Sequence, residues 1–542
     1  MKITRHILAA VLALAAGLQA SAQSQSFQLG KWTEINNAIL KELNRSYVDS
    51  LPVDRMQRSG VDAMLESLDP YTVYVPEEEN EDFQMTIGKT YGGIGAVIYK
   101  PEKSGYVYIN EPYWGAPAQR GGLVAGDQIL EIDGVSTIGL ETKECSDRMK
   151  GTPGTNVTFK VKRVRGGQIE DIVIKRERIH LPDVEYAGMI NDTTGYILQT
   201  GFTENVSGAV REAVADLQKK GMKLLVLDLR GNGGGLLHEA VNIVSLFVPK
   251  GTLAVSQKGK LSSEVIEYKT TLDPVDTKTP MIVMTSGGTA SSSEIVAGAL
   301  QDYDRATIMG KRSYGKGLVQ SIRSLPYNGT LKVTTAKYFT PSGRCVQAID
   351  YARRNEDGSV GFIPDSLTHE FRTKGGRIVR DGGGITPDIE VAEKEYSRLA
   401  YSLVLGGIVE YYALDYVIKH DKVPASVDDF HYTAEDYKDF VEYAKGKEFD
   451  YRSSAKTLFD QMKKELEKDG VAESMKSELE ALDKAIEMDK EKFLNMKMDE
   501  LIPFIEEEIA VRYWYQEAGV KVRLRYDEQL EEALKVYKPL GL

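Results

Sequence analysis

Residues 223–247 read KLLVLDLRGNGGGLLHEAVNIVSLF, and the fold class follows from this stretch. An uninterrupted apolar run leads into a turn in which four of the five residues 231–235 are glycine, and apolar positions at helical spacing come next. A strand without polar alternation is typical of a sheet covered on both faces, and a helix that follows it is typical of a parallel crossover unit. The stretch therefore predicts a strand, a glycine turn and a helix of an α/β core.

The same alternation extends in both directions along the chain. TGYILQT (194–200) and PMIVMTS (280–286) are apolar runs, and each precedes a helical pattern, ENVSGAVREAVADLQKKG (204–221) and SSSEIVAGALQDY (291–303). We therefore expect an α/β core over residues 166–395. Within it, residues 351–380 are polar and irregular, and we predict that they form a surface insertion.

The flanking regions have other patterns. Residues 23–88 show apolar positions at helical spacing and predict a helical N-terminal region, whereas residues 89–165 hold short β-rich runs between Gly and Pro and predict a small β domain. Residues 396–542 hold few Gly and Pro and predict an acidic helical region, since residues 421–542 carry 20 Lys and Arg against 30 Asp and Glu. We expect solvated helical faces there and no catalytic role.

The chain begins MKITRHILAAVLALAAGLQASAQ, which has the pattern of a secretory signal peptide. Lys2 and Arg5 precede an apolar run of twelve residues, and Ala20-Ser21-Ala22 is a small-residue cleavage site. Twelve residues are too few to cross about 30 Å of hydrocarbon as a helix. Residues 1–22 are therefore predicted to be removed, and we expect an exported protein that is periplasmic and does not span the membrane.

The composition excludes several classes of protein. Of the 542 residues, 42% are hydrophobic and 27% are charged, which is typical of a globular chain. The formal charge is −12, and it becomes −14 once Lys2 and Arg5 are removed, so the basic field of a nucleic-acid binder is missing. Cys145 and Cys345 allow at most one disulfide and do not support a cysteine zinc site.

A first candidate site lies in GGTASSSEIVAGALQDY (287–303), where a strand pattern passes into a helix. A serine at a helix N-terminus has its hydroxyl beside unpaired N–H groups and the positive end of the helix dipole, which suits a nucleophile whose attack creates an oxyanion. Ser291 occupies that position. The alternative is structural, because Ser291 and Glu294 also have the spacing of a capping box.

A second candidate is Lys316 in GKRSYGKGLVQ (310–320). The segment nearly matches a nucleotide-binding phosphate loop, but Gly317 replaces the required Ser or Thr and no helix pattern follows, so we expect no nucleotide. A lysine between two glycines that loses water has its pKa lowered and can accept a proton near neutral pH. Gln320 lies four residues later, and on a strand this even spacing would place both side chains on one face.

The glycine turn at 231–235 is the third candidate. Such a loop exposes backbone N–H groups and lets a substrate backbone come close, although it could also be a simple tight turn. A dinucleotide fingerprint is not met, because the third glycine position holds Leu236. His238 is the histidine nearest to this loop, and we expect it to be structural rather than part of a Ser-His-Asp triad.

Together and in this order, these segments resemble the C-terminal processing peptidases, also called tail-specific proteases, which are serine peptidases with a PDZ domain. The resemblance covers roughly residues 30–395. It is carried by LESLDPYTVY (65–74), YGGIGAVI (91–98), GAPAQRGGLVAGDQILEIDGV (115–135), LDLRGNGGG (227–235), GTASSSEIVAGALQD (288–302), RSYGKGLVQ (312–320), YFTPSGR (338–344) and GITPDIEV (384–391).

The resemblance implies a Ser–Lys dyad with Ser291 as nucleophile, Lys316 as base and Gln320 as its hydrogen-bonding partner. The oxyanion donors would be the backbone N–H groups of Gly234 and Ser292. Two departures stand out: GNGGG lacks the proline that many relatives have before the glycines, and Ser292 stands where alanine is usual. The implied architecture is an α/β core of crotonase-like type with an inserted β-rich PDZ domain (89–165) and helical regions at both ends.

In a PDZ domain a peptide adds as an extra strand, and a loop of N–H groups holds its terminal carboxylate. Gly92, Gly93, Ile94 and Gly95 would form that loop, and Ile94 and Leu123 would line the pocket for the last side chain. The alternative is that Ile94 and Leu123 only pack the interior of the domain.

We therefore expect an exported serine endopeptidase that binds accessible protein C-termini through its PDZ domain and cleaves upstream. The alternative function is a catalytically inactive scaffold that binds C-terminal tails. We expect no metal, organic cofactor, nucleotide or nucleic acid, and the helical regions are candidates for contact with an adaptor or a second copy.

Overall fold

A computed structural model gives the structure of the chain. The described residues are 25–101, 105–260, 265–355, 357–420, 422, 424–449, 454–486 and 490–537. The predicted signal peptide, residues 1–22, lies outside them. The chain divides into two compact units, Met1–Tyr74 and Val75–Leu542. This division falls inside the predicted helical N-terminal region, whose last helix belongs to the second unit.

Over its described residues 25–74, the first unit contains two helices, α1 over residues 25–46 and α2 (Val53–Glu66), as the sequence pattern predicts. Pro52 directly precedes α2, a position where its missing N–H costs no helical hydrogen bond. After α2, one carboxylate oxygen of Asp69 accepts the N–H groups of Tyr71 and Thr72 at 2.9 Å each and closes a turn. A short strand, β1 (Val73–Val75), follows.

In the second unit, α3 (Glu77–Gly88) leads to a small β domain. Its strands are β2 (Thr90–Gly93), β3 (Ala96–Tyr99), β4 (Val107–Pro112), β5 (Gln128–Ile132), β6 (Val135–Ser136), β7 (Asn156–Lys162), β8 (Ile169–Lys175) and β9 (Glu177–His180), and its helices are α4 (Pro117–Arg120) and α5 (Thr142–Met149). The sheet order is β3-β4-β5-β7-β8, which leaves β3 at an edge, and β2 pairs with β9. The domain does not end at residue 165 as expected, because β7 and β8 form a hairpin across the Gly166-Gly167 turn.

The α/β core has the predicted alternation. Its main sheet has the order β10-β11-β12-β15-β16-β23, and all pairs are parallel except β10 with β11. The strands are β10 (Val184–Met189), β11 (Thr194–Gln199), β12 (Leu224–Asp228), β15 (Met281–Thr285), β16 (Thr307–Gly310) and β23 (Ile389–Glu390), and the helices between them are α6 (Val206–Lys219), α7 (Leu237–Phe247) and α8 (Ser292–Asp302). The glycine loop 231–235 and Ser291 thus follow adjacent parallel strands at the same edge of the sheet.

A second sheet joins β13 (Leu253–Gly259) with β14 (Val265–Lys269) and β17 (Leu318–Ser324) with β18 (Thr330–Phe339), and β13 pairs with β18. Residues 351–380 are not irregular as expected. They take part in two hairpins, β19 (Ile349–Arg354) with β20 (Val360–Phe362) and β21 (Glu370–Arg372) with β22 (Ile378–Arg380). Polar side chains suit such two-stranded ribbons because both of their faces can meet solvent.

The C-terminal region is helical, as predicted. Its α-helices are α9 (Arg398–Leu405), α10 (Ile408–Lys419), α11 (Tyr437–Lys445), α12 (Ser454–Lys468), α13 (Lys476–Ile486), α14 (Lys490–Met496), α15 (Met498–Arg525) and α16 (Glu528–Val536). The backbone of α15 is non-helical at Tyr515. Among the described helices, none combines the length and the apolar character needed to cross a membrane.

The two faces of the main sheet are covered by different parts of the chain. Helices α6, α7 and α8 all pack on one face, where Ile197, Leu225 and Val283 are fully buried. On the other face, Tyr196, Val226 and Met284 pack with residues of α15 and α16. The sheet is therefore covered on both sides, as its apolar strands predict, but the second cover comes from the acidic C-terminal region.

The small β domain also packs on the C-terminal helices. The Tyr99 ring of β3 stacks on Tyr411 of α10 with centroids 4.1 Å apart, and Arg512 of α15 donates to the Asn110 side chain at 2.7 Å. Burial at this contact raises the pKa of Glu111 to about 7; Arg512 opposes the rise, and Glu508 and Glu410 add to it.

Candidate active site

Ser291 directly precedes α8 and has a strained backbone. Its φ is +57° and its ψ is −116°, in a region that L-residues seldom adopt and that often accompanies functional sites. The next two serines are almost completely buried, and their hydroxyls donate to the carbonyls of Gly235 at 2.8 Å and Asn232 at 2.9 Å. Ser291 is thus the one serine of this trio whose side chain is partly exposed.

Glu294 connects the serine to the lysine segment. It is fully buried, and one carboxylate oxygen accepts the backbone N–H groups of Ser291 at 2.9 Å and Lys316 at 2.8 Å. The other oxygen accepts the Gly315 N–H at 2.8 Å and the Ser313 hydroxyl at 2.5 Å. Burial raises the pKa of Glu294, and these hydrogen bonds oppose the rise. Since both nitrogens lie within 2.9 Å of one oxygen atom, the backbones of Ser291 and Lys316 are held side by side.

Lys316 lies in an irregular segment and its side chain is half-buried. The flanking glycines are required by close packing: a Cβ on Gly315 would lie 2.4 Å from the Ala348 Cβ, and one on Gly317 would lie 2.7 Å from the Gln347 backbone nitrogen. Residues 347 and 348 therefore press directly on the lysine segment and fix its path.

The strand argument for Gln320 is wrong. Strand β17 begins at Leu318, after Lys316, and its pairing with β18 shifts register between Val319 and Gln320. The even spacing is therefore not evidence that the two side chains share a face. The Gln320 amide nitrogen donates to the Thr334 hydroxyl at 3.2 Å.

The glycine loop packs against Ser291. Gly234 has φ +94°, and a Cβ there would lie 2.8 Å from both the Ser291 Cβ and the Ser292 nitrogen. Buried Asn232 organises the loop: its carbonyl accepts the Ala290 N–H at 3.0 Å, and its amide donates to the Gln199 carbonyl at 2.8 Å. The loop and the start of α8 are thus one hydrogen-bonded assembly.

The two expected oxyanion donors differ in their surroundings. Ser292 is the first residue of α8, so its N–H is one of the four helix-start groups without an intrahelical acceptor. The Gly234 N–H instead donates to the Asn232 side-chain oxygen at 2.9 Å. This corrects the expectation of an open donor at Gly234, because an oxyanion would have to replace the Asn232 oxygen.

His238 lies at the start of α7 beside two carboxylates. Its Nε2 is 3.4 Å from a Glu204 oxygen and 3.8 Å from a Glu239 oxygen, and the three groups have ligand atoms within 4.8 Å of one another. Glu204 and His238 are exposed, and the second oxygen of Glu239 accepts the Ser207 N–H at 2.8 Å. The three groups have the spacing of metal ligands. We do not assign a metal to them, because Glu204 and His238 are exposed and Glu239 is bonded to the Ser207 N–H.

In the small β domain, Ile94 is 2% exposed and Leu123 is 1% exposed, and both belong to the domain's apolar core. Both therefore pack the interior, which corrects the expectation that they line an open pocket. Gly93 pairs with Glu177 in the β2–β9 ladder, and Gly95 has φ +73° with its Cβ position 2.5 Å from the Ala116 Cβ. The glycines thus give the loop its close path along β9 and α4.

Models of three families match this chain. The model of peptidase family S41 matches residues 193–354, that of a PDZ domain matches residues 108–163, and that of a "probable PDZ-protease, C-terminal helical domain" matches residues 399–537. The first match holds the serine, lysine and glycine-loop segments. The third covers most of the C-terminal helices.

Curated proteins match over more than half of the chain. A carboxy-terminal-processing protease of Bartonella bacilliformis is 36% identical over 315 residues, 57% of this chain and 71% of that protein. A probable CtpA-like serine protease of Staphylococcus aureus is 34% identical over 310 residues, which is 57% of this chain and 61% of that protein. The solved structure of a photosystem II D1 C-terminal processing protease is 25% identical with a TM-score of 0.36, covering 66% of this chain and 86% of that chain.

Proposed function

The chain belongs to the C-terminal processing proteases of peptidase family S41, and on that premise we propose that it hydrolyses peptide bonds with a Ser291–Lys316 dyad. In this proposal Lys316 acts in its neutral form and takes the proton of the Ser291 hydroxyl. The serine oxygen attacks the peptide carbonyl, the C–N bond breaks, and the leaving amine takes from Lys316 the proton that came from the serine. Water then releases the acyl group and restores the serine.

The observation that carries this proposal is the double hydrogen bond of the Glu294 carboxylate. It ties the N–H of Ser291 and the N–H of Lys316 to one oxygen, although 24 intervening residues separate the two along the chain. A merely capping serine requires no lysine segment beside it. The strained φ of Ser291 and the buried, bonded hydroxyls of Ser292 and Ser293 further favour Ser291 as the nucleophile.

The oxyanion would be bound at the start of α8 and the glycine loop. Ser292 N–H is one proposed donor, and Gly234 N–H is the other once the Asn232 oxygen turns away from it. Gln320 remains proposed as the group that orients the Lys316 amine. Its amide already donates to Thr334, which leaves its oxygen as the atom for this role.

We also propose that the PDZ domain selects polypeptides by their free C-terminus. Strand β3 is the edge of its sheet, so a peptide can add beside it with its carboxylate toward the loop at Gly93–Gly95. A crotonase-like arrangement of the core is also part of this proposal, and the parallel strands with α6, α7 and α8 on one face support it. The leader pattern of residues 1–22 supports export, with the periplasm as the proposed location.

A cleavage assay tests the dyad against the scaffold alternative. Purified wild type should degrade a peptide with an apolar C-terminus, and Ser291→Ala and Lys316→Ala should each lose activity by at least about 10³-fold. Ser321→Ala is the matched control, since the Ser321 hydroxyl bonds the Thr335 hydroxyl at 2.9 Å, outside the serine, lysine and glycine-loop segments, and it should retain activity within several-fold. If wild type and all variants bind the peptide equally and none cleaves it, the chain is a tail-binding scaffold.

A further inference from the structure

The glycine loop is anchored from the C-terminal helical region through Arg230, the residue that precedes it. The Arg230 Nε donates to both oxygens of Asp228, at 3.0 and 2.9 Å. Its Nη1 donates to Asp527 at 3.1 Å and to the Gln529 side-chain oxygen at 2.9 Å, and Nη2 reaches the second oxygen of Asp527. One guanidinium thus joins the end of β12 to the start of α16.

The far end of this connection is rigid. Asp527 also caps α16, where its side chain accepts the Leu530 N–H at 2.9 Å. The Gln529 amide donates to the Val391 carbonyl at 2.9 Å, and Leu530 and Ala533 are buried against the main sheet. Asp527 is therefore held by its own helix and by the sheet, so it can serve as a fixed point for Arg230.

An open space borders this ion pair. A cavity of about 450 Å³ lies between the loop and the helices, and Arg230, Gly231, Ser286 and Asp527 are among the residues that line it. The two carboxylates of Asp228 and Asp527 raise the pKa of Arg230 despite its burial, so the guanidinium stays charged and paired.

A movement of Arg230 would change the positions of residues in the active site. The next N–H, that of Gly231, donates to the Ser286 hydroxyl at 3.0 Å, and the same hydroxyl accepts the Gly288 N–H at 3.2 Å. Beyond it, Asn232 and Gly234 contact residues 290–292. The start of the loop therefore sets the position of the proposed oxyanion donors relative to Ser291.

We propose that Asp527 is a positioning residue for the hydrolysis: through Arg230 it holds the glycine loop in register with Ser291. This inference rests on the proposed function. It assigns the C-terminal helical region a part in the reaction, although no residue of that region touches the dyad in the proposed mechanism. Asp527 acts on the oxyanion donors, so its loss should reduce the rate of the chemical step more than substrate binding.

The test is Asp527→Asn in the full chain. Asparagine caps a helix as well as aspartate does, so α16 should remain intact, while the charge pair with Arg230 is lost. We expect kcat to fall about tenfold and KM to change by less than about twofold, since a small misplacement of reacting groups costs up to about 100-fold. Asp527→Glu, which restores the charge, should recover part of the rate.

Glu528→Gln is the matched control. Glu528 is the next residue and pairs with Lys394 at 2.6 Å, in an exposed ion pair that does not reach the loop. This variant should keep the wild-type kcat. Equal kcat values for wild type, Asp527→Asn and Glu528→Gln would overturn the inference while leaving the peptidase proposal intact.

Amide hydrogen exchange supplies a readout that needs no activity. In Asp527→Asn, the amides of residues 231–235 should exchange faster than in wild type, and those of Glu528→Gln should not. Arg230→Gln should have the same effect, and the double variant Arg230→Gln with Asp527→Asn should exchange no faster than either single variant. Unchanged amide exchange in both single variants would overturn the proposed role of Asp527 and Arg230, even if the wild type proved inactive. An inactive wild type with faster exchange in the variants would contradict only the proposed function.

Discussion

Glu294→Gln should separate the geometry of the site from the general stability of the fold. The carboxylate accepts four donors, two on each oxygen, and an amide has only one acceptor oxygen. The least costly orientation turns the amide oxygen toward the N–H groups of Ser291 and Lys316 and the NH₂ toward Ser313, whose hydroxyl can accept. The Gly315 N–H then faces the NH₂ group and has no acceptor.

One buried donor without a partner costs about 1–3 kcal/mol, and the charge-assisted bonds to the other two N–H groups weaken as well. We therefore expect urea unfolding to show a loss of about 2–4 kcal/mol. The kcat for a peptide with an apolar C-terminus should fall about 10- to 100-fold, because the lysine segment shifts relative to Ser291.

Glu239→Gln provides the control for this comparison. Glu239 is also a buried carboxylate on a core helix, but its oxygens accept from Ser207 and Asn242, outside the serine and lysine segments. It should lose less stability, because an amide oxygen can still accept the Ser207 N–H and the Asn242 amide can turn to accept the new NH₂ group, and it should keep its kcat. Wild-type stability and kcat in Glu294→Gln would refute the reasoning, and so would an equal loss of kcat in both variants.

Two further results are expected. Gly234→Ala should lower the free energy of unfolding by at least about 2 kcal/mol and remove most activity, because its φ of +94° and the Ser291 Cβ leave no room for a methyl group. Gly233→Ala, with open space around it, should stay near wild type in urea unfolding and cleavage. Equal effects at both positions would contradict this packing. Glu111 has a pKa of about 7 in the folded state against an ordinary value of 4.5. Between these two pH values the folded state holds a proton that the unfolded state has released. The free energy of unfolding should therefore fall as pH rises from about 4.5 to 7, by up to about 3 kcal/mol. Glu111→Gln should flatten that part of the urea midpoint against pH curve, and a wild-type slope in the variant would show that another group is responsible.

The sequence predicted those features that depend on local pattern. Apolar strands followed by helices located the core, and the glycine loop and the helix-start serine were found because both follow parallel strands. The capping-box spacing also singled out Glu294, but not its second set of bonds. Those bonds go to residues 313–316, which only the tertiary fold brings near α8.

The features that were missed are long-range. Asp527 is 297 positions from Arg230, and nothing in an acidic helical pattern distinguishes it from its neighbours. The same holds for the sheet face covered by α15 and α16. The spacing argument for Gln320 was wrong for another reason, because it assumed one strand without a register shift, whereas β17 begins after Lys316 and shifts register at Gln320. Asn232 could have been noticed, since an asparagine in a glycine turn commonly bonds a backbone N–H two residues on.

The distance between the Ser291 Oγ and the Lys316 Nζ tests the central claim most directly. It should be measured in a crystal structure of the protein with a peptide aldehyde at the active site and a second peptide, which has a free C-terminal carboxylate, in the PDZ domain. We predict a covalent bond from Ser291 to the aldehyde carbon and an Oγ–Nζ distance of about 2.6–3.2 Å. An aldehyde bonded to another residue, or a Lys316 amine paired with a carboxylate away from Ser291, would contradict the account.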